Sequence, residues 1–197
     1  MLKDKAYIAS EHSERLFNVL SSPRFLNKEG LGGELPFFVH SFPISKQTEV
    51  ETQLPVLVKR LHAEGVEVLD IHLYELCLDI LKRENRFDQI IAREKQLRKP
   101  MLMRTLSDNL NVESILIPEI HRKRAESKAK IVFLTGIAAA FPFMRSHHIL
   151  NNIQTLTDNI PLVMFFPGTY DNQSLTLFNL LKDDNYYRAH NLNEYNI

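Results

Sequence analysis

Leu35-Pro-Phe-Phe-Val-His-Ser-Phe42 is the stretch whose reading decides the fold. It is short, aromatic, bounded by Pro36 and Pro43, and preceded by a loop holding Gly30, Gly32 and Gly33. That is the pattern of a central strand buried on both faces. Immediately after it, Val50, Leu54, Leu57, Val58 and Leu61 recur at spacings of three and four. This predicts a helix that Ser45 can cap, that Pro55 must start or kink, and that Gly65 ends. Val66-Glu-Val-Leu-Asp-Ile71 then reads as a second strand, and Leu73 to about Arg83 as another helix.

Outward from this strand–helix–strand unit the pattern repeats. Ser10 to Leu20 places Leu16, Phe17 and Leu20 on one helical stripe, interrupted by Ser21, Ser22 and Pro23. Arg86 to Glu126 is helical in pattern and charged, and is expected to cover or flank the sheet. Ile131 to Thr135 is a third strand closed by Gly136, Ser146 to Leu156 a helix, and Leu162 to Phe166 a fourth strand closed by Pro167 and Gly168. Strands alternating with helices of this length predict an α/β fold: a mainly parallel sheet of about four to five strands with helices on both faces, a three-layer sandwich on a degenerate P-loop-like or Rossmann-like plan. The 197 residues suit a single domain, 1–197.

Composition narrows the function. Lys+Arg and Asp+Glu both number 24, so no global field draws the chain to nucleic acid or an anionic membrane, and direct nucleic-acid binding is not expected. One cysteine, Cys77, excludes a disulfide framework and a cysteine-based zinc site. The N-terminus lacks the apolar core of a signal peptide and no run is long enough to span a bilayer, so a cytoplasmic location is expected.

Ligands of such sheets bind outside the carboxyl ends of the strands. Those ends are His40 and Ser41, Asp70 and His72, Thr135 and Gly136, and Pro167 and Gly168. A serine nucleophile would need the G-x-S-x-G turn, and Ser41 stands between His40 and Phe42, so a structural role for both is favoured. A phosphate loop would need G-x-x-x-x-G-K-[ST], and His40 to Thr48 holds no glycine, although Lys46 and Thr48 echo its end. His147 and His148 are adjacent and diverge on a helix, and Asp183-Asp184 reads as a solvated turn rather than a magnesium site. No metal, cofactor or enzymatic activity is expected. The basic run Arg122 to Lys130 lacks interleaved aromatics and sits where a helix C-terminus favours cations.

The C-terminal third carries further strings: Arg145-Ser-His147, Leu150-Asn-Asn152, Phe165-Phe-Pro-Gly168 and Asp183-Asp-Asn-Tyr-Tyr-Arg-Ala189. Together they resemble the motifs of the BrxB family of bacteriophage exclusion (BREX) systems, strongly from Phe133 to Leu192 and weakly elsewhere. The resemblance implies a small phage-defence protein without established catalytic activity, working beside the alkaline-phosphatase-like PglZ, an ATPase and a DNA methyltransferase. A non-catalytic adaptor that docks on PglZ is the first expectation, and a nucleotide- or phosphate-binding regulator without hydrolysis the second. Candidate ligand or phosphate contacts are Lys46, Arg145, Ser146, His147, Asn151 and Asn152; the last five could equally cap a helix and tie loops. Candidate docking residues are Phe178, Tyr186, Tyr187 and Arg188, types enriched at interfaces. Where the family pattern has another glycine and an acidic residue, this chain has Ala138 to Ala140, which speaks against a ligand there.

Overall fold

A computed structural model describes residues 9–32, 34–144, 149, 152, 160–182 and 188–196. Seven strands are present among them: β1 Phe37–Phe42, β2 Val68–His72, β3 Ile131–Thr135, β4 Leu162–Tyr170, β5 Leu175–Leu177, β6 Leu181–Lys182 and β7 His190–Asn191. Strands run in the order β2-β3-β4-β1-β7, all parallel, and a β5–β6 hairpin extends antiparallel from the far end of β4. The expected parallel α/β sandwich is therefore what forms, with Phe37–Phe42 an interior strand between the central β4 and the short edge strand β7.

Period-two alternation splits the strand residues between two cores, as a pleated ribbon requires. Phe37, Val39, Val132, Leu134, Leu162, Met164 and Phe166 face one way, against α4 (Leu73–Arg83), α7 (Ile117–Ala125) and α8 (Ile137–Ala140). On the other side Phe38, Phe42, Ile131, Phe133, Val163 and Phe165 meet α1 (Ala9–Leu20), α2 (Pro23–Leu26) and α3 (Gln47–Ala63). Two further helices, α5 (Phe87–Glu94) and α6 (Lys99–Asn109), flank the first layer; α5 buries only Ile90 and α6 buries no residue.

Local chemistry explains most boundaries. α3 closes in a Schellman motif: Gly65 takes φ +72°, its N–H donates to His62, and the Val66 N–H donates to the Leu61 carbonyl at 2.9 Å. Two boundaries differ from expectation. Ser45 does not cap α3; it lies inside a 3-10 turn, Ile44–Lys46, and Gln47 opens the helix with no side-chain cap. Helix α3 also runs through Pro55 at the loss of one hydrogen bond. Strand β4 continues past Pro167 and Gly168 to Tyr170, because Pro167 sits opposite Phe42, where β1 ends. Its carbonyl is still used, accepting from the Phe178 N–H at 2.9 Å. The helix expected at Ser146 to Leu156 lies largely outside the described residues, as do Asp183 and Asp184.

Candidate functional site

The carboxyl ends of β1 to β4 open onto a cavity of about 400 Å³ walled by α3 and the start of α4. Asp70, His72, Thr135, Gly136 and Pro167 line it, as the strand-end rule anticipates, joined by Gln47, Glu51 and Glu75 from the helices. His72 and Thr135 are paired in register, which sets the β2 and β3 ends level.

Each group has a defined state. Thr135 Oγ1 donates to Asp70 Oδ1 at 2.9 Å, and the Asp70 carboxyl remains open to the cavity. Although reachable by solvent, it is crowded by the cleft walls, and the loss of hydration raises its pKa; the Thr135 bond and nearby His72 offset part of that rise. His72 Nδ1 accepts the Glu75 N–H at 3.3 Å and so caps α4. Gly136 is in the left-handed region at φ +70°, and a Cβ there would run into the His72 ring. Gln47 Nε2 donates to Glu51 Oε1 at 2.5 Å, while its buried Oε1 has no hydrogen-bond partner.

This wall is rich in acceptors and poor in cations, the wrong polarity for phosphate. Lys46, the residue expected to reach one, is not among the lining residues; its Nζ bonds Glu49 at 2.6 Å on the surface. Among the described residues no group of three or more His, Cys, Asp or Glu side chains converges to hold a metal ion. Cys77 is buried, which pushes its thiol up to about 12 and leaves it protonated.

His40 and Ser41 belong to a different cluster. They alternate across β1, so His40 turns away towards α1 and α3 and is 1% exposed. Its Nδ1 lies 2.6 Å from Asn193 Oδ1; Asn193 Nδ2 donates to the Ser41 carbonyl at 2.8 Å and to Ser41 Oγ at 3.2 Å. With the amide nitrogen committed as donor, His40 must donate from Nδ1. Burial holds His40 neutral, with its pKa lowered to about 4. No local pattern marks this link, because Asn193 is 153 residues away.

The other candidates scatter. Asn152 lies in a turn, its N–H donating to Ile149 at 3.0 Å. Phe178 is half-buried, its ring edge-on to Phe141 at 5.8 Å, and Arg188 is exposed. Arg145, Ser146, His147, Asn151, Tyr186 and Tyr187 lie outside the described residues. Between Phe178 and Arg188 stands a feature not anticipated from sequence. Phe178 and Asn179 both adopt left-handed φ, +57° and +58°, and Leu180 N–H closes on Leu177 at 3.0 Å, a tight hairpin turn. At its tip Leu180 is 82% and Leu181 44% exposed.

The family sequence model for "BREX protein BrxB" matches residues 69–192. The chain belongs to the BrxB family. A BREX protein BrxB of Bacillus cereus (strain H3081.97) is 33% identical over 186 residues, covering 93% of this chain and 96% of the relative. A second, from Escherichia coli O9:H4 (strain HS), is 27% identical over 174 residues, covering 88% and 86%. No solved structure gives a significant match. The BrxB match begins at Leu69, so it takes in Asp70, His72 and Thr135 of the cleft and the Leu180 hairpin, whereas β1 and α3 lie before it. No helix among the described residues is long and apolar enough to cross a membrane.

Proposed function

We propose that this member of the BrxB family is a non-catalytic accessory subunit of a BREX phage-defence system, acting in the cytoplasm by protein–protein contact, with the PglZ-type component as partner. The observation that carries the reading is the apolar hairpin tip. Two leucines held out on a turn anchored to β4 are at odds with a surface selected only for solubility. Phe178 fixes the base of the hairpin against Phe141 while staying partly exposed. Exposed apolar side chains held on a turn suit a small docking surface.

The nucleotide- or phosphate-binding reading draws less support. Its lysine is paired with Glu49, and the cavity where a phosphate would sit is walled by Glu51, Asp70 and Glu75. The test is co-purification with the PglZ-type protein, alongside the Leu180→Asp/Leu181→Asp variant. A complex formed by the natural chain and lost in the variant supports the adaptor; a complex indifferent to the variant removes the hairpin from the interface. No complex, together with a rise in melting temperature on adding ATP or GTP with magnesium, would transfer the case to the nucleotide reading.

A further inference from the structure

The neutral net charge conceals a separation. Residues 82 to 104 hold eight Lys/Arg against three Asp/Glu, while the rest of the chain holds sixteen against twenty-one. Those residues are the end of α4, helix α5, its link to α6, and the first turns of α6. Residues 91–100 are all exposed except Leu97, which is half-buried. Within this tip Arg93, Lys95, Arg98 and Lys99 lie within seven residues, and no described carboxylate is within ion-pair distance of them; Arg104 reaches Asp108 only loosely, at 3.7 Å. The basic run that stands out in the sequence, Arg122 to Lys130, is by contrast partly spent. Arg122 is held by Glu119 and Glu126 at 2.8 and 2.7 Å, and Lys130 donates to the Gly65 carbonyl. Helix α4 carries the chain about 16 Å from the acidic cleft before the basic hairpin begins, at 1.5 Å per residue.

We propose that the α5–α6 hairpin is a phosphate-backbone contact for duplex nucleic acid, read without regard to sequence. The tip carries exposed cations, and among its described residues only Ile91 and Met101 are large exposed apolar side chains. Such a surface has little with which to anchor another protein, but it suits the regular negative array of a duplex. No aromatic ring lies between Ile91 and Arg104, so the base stacking that single strands demand is missing. The apolar positions Leu102 and Leu106 of α6 are turned inward to the core, which leaves no face to sink into a bilayer.

The test measures fluorescence anisotropy of a labelled, arbitrary-sequence duplex with the isolated full chain, so it is independent of whether a PglZ-type partner binds. Four phosphate contacts give a log–log salt slope of about −4, a loss of about a hundredfold between roughly 50 and 200 mM salt. Lys95→Glu/Arg98→Glu/Lys99→Glu, verified as folded by circular dichroism, is expected to weaken binding at low salt by about tenfold or more, while Lys59→Glu on the opposite layer leaves it nearly unchanged. Absence of binding at about 10⁻⁴ M protein in low salt, a flat salt dependence, or binding indifferent to the triple reversal would each overturn the proposal. Retention on phosphatidylglycerol vesicles without duplex binding would likewise overturn it, in favour of a membrane surface.

Discussion

His40 shows how one buried side chain sets a response of the whole protein. Its pKa is about 4 in the fold against about 6.5 in the unfolded chain, so between these values the unfolded state binds the extra proton. Stability is therefore fully present above about pH 6.5 and falls as pH drops towards 4, by up to ~3 kcal/mol for the full shift. Thermal unfolding followed across this range should show that fall, and His40→Asn should flatten it; an unchanged profile in the variant would mean that another group titrates. Gly136 makes a second residue-scale case. Gly136→Ala has to bear both a left-handed backbone and the His72 ring, and is expected to cost about 1–3 kcal/mol in urea unfolding. Because the clash is with one ring, His72→Ala should recover part of that cost, and the two changes should be clearly non-additive. Additive effects would show that φ alone makes the glycine necessary.

At the scale of elements, Glu119 ties α7 to α4. Its carboxylate is 8% exposed and accepts from Arg83 Nη1 at 2.9 Å and Arg122 Nη2 at 2.8 Å, which pulls its pKa down to about 2. A depressed carboxylate contributes stability above its unfolded pKa and loses it as pH falls towards the folded value. Glu119→Gln is expected to destabilise by about 2 kcal/mol at neutral pH, with the difference from the natural chain shrinking below about pH 4. Urea titrations at two pH values check this; a constant difference would assign the loss to packing. Helix α4 is readable from its own sequence and α7 lies within the stretch Arg86 to Glu126 that is helical in pattern, but the charge that joins them is not readable, because Arg83 and Glu119 are 36 residues apart.

The whole molecule is closed by its C-terminal segment. Strand β7 pairs with β1, Arg15 of α1 donates to the Leu192 and Tyr195 carbonyls at 2.9 and 2.7 Å, and the Tyr195 ring stands edge-on to Phe25 and Phe38. Leu192 is fully buried in the core beneath α1. Leu192→Ala should therefore cost about 3 kcal/mol by chemical denaturation. A cost under about 1 kcal/mol would show the segment to be loosely docked.

Read by itself, the sequence determined the class of fold and the place of the cleft. Apolar periodicity is a local property: Phe37–Phe42, Ile131–Thr135 and α4 follow from neighbours within a few residues, and the strand-end rule then marks Asp70, His72, Thr135 and Gly136. It did not disclose β5 to β7, which are two or three residues long and too short to carry a period. Tertiary structure alone decided which polar groups meet. It joined His40 to Asn193, committed Lys46 to Glu49, exposed Leu180 at a hairpin tip, and left the cations of residues 93–99 without a carboxylate partner among the described residues while neutralising Arg122. The reason is range: burial patterns are written along the chain, whereas hydrogen bonds and ion pairs depend on a few ångströms between residues that only the completed fold brings together.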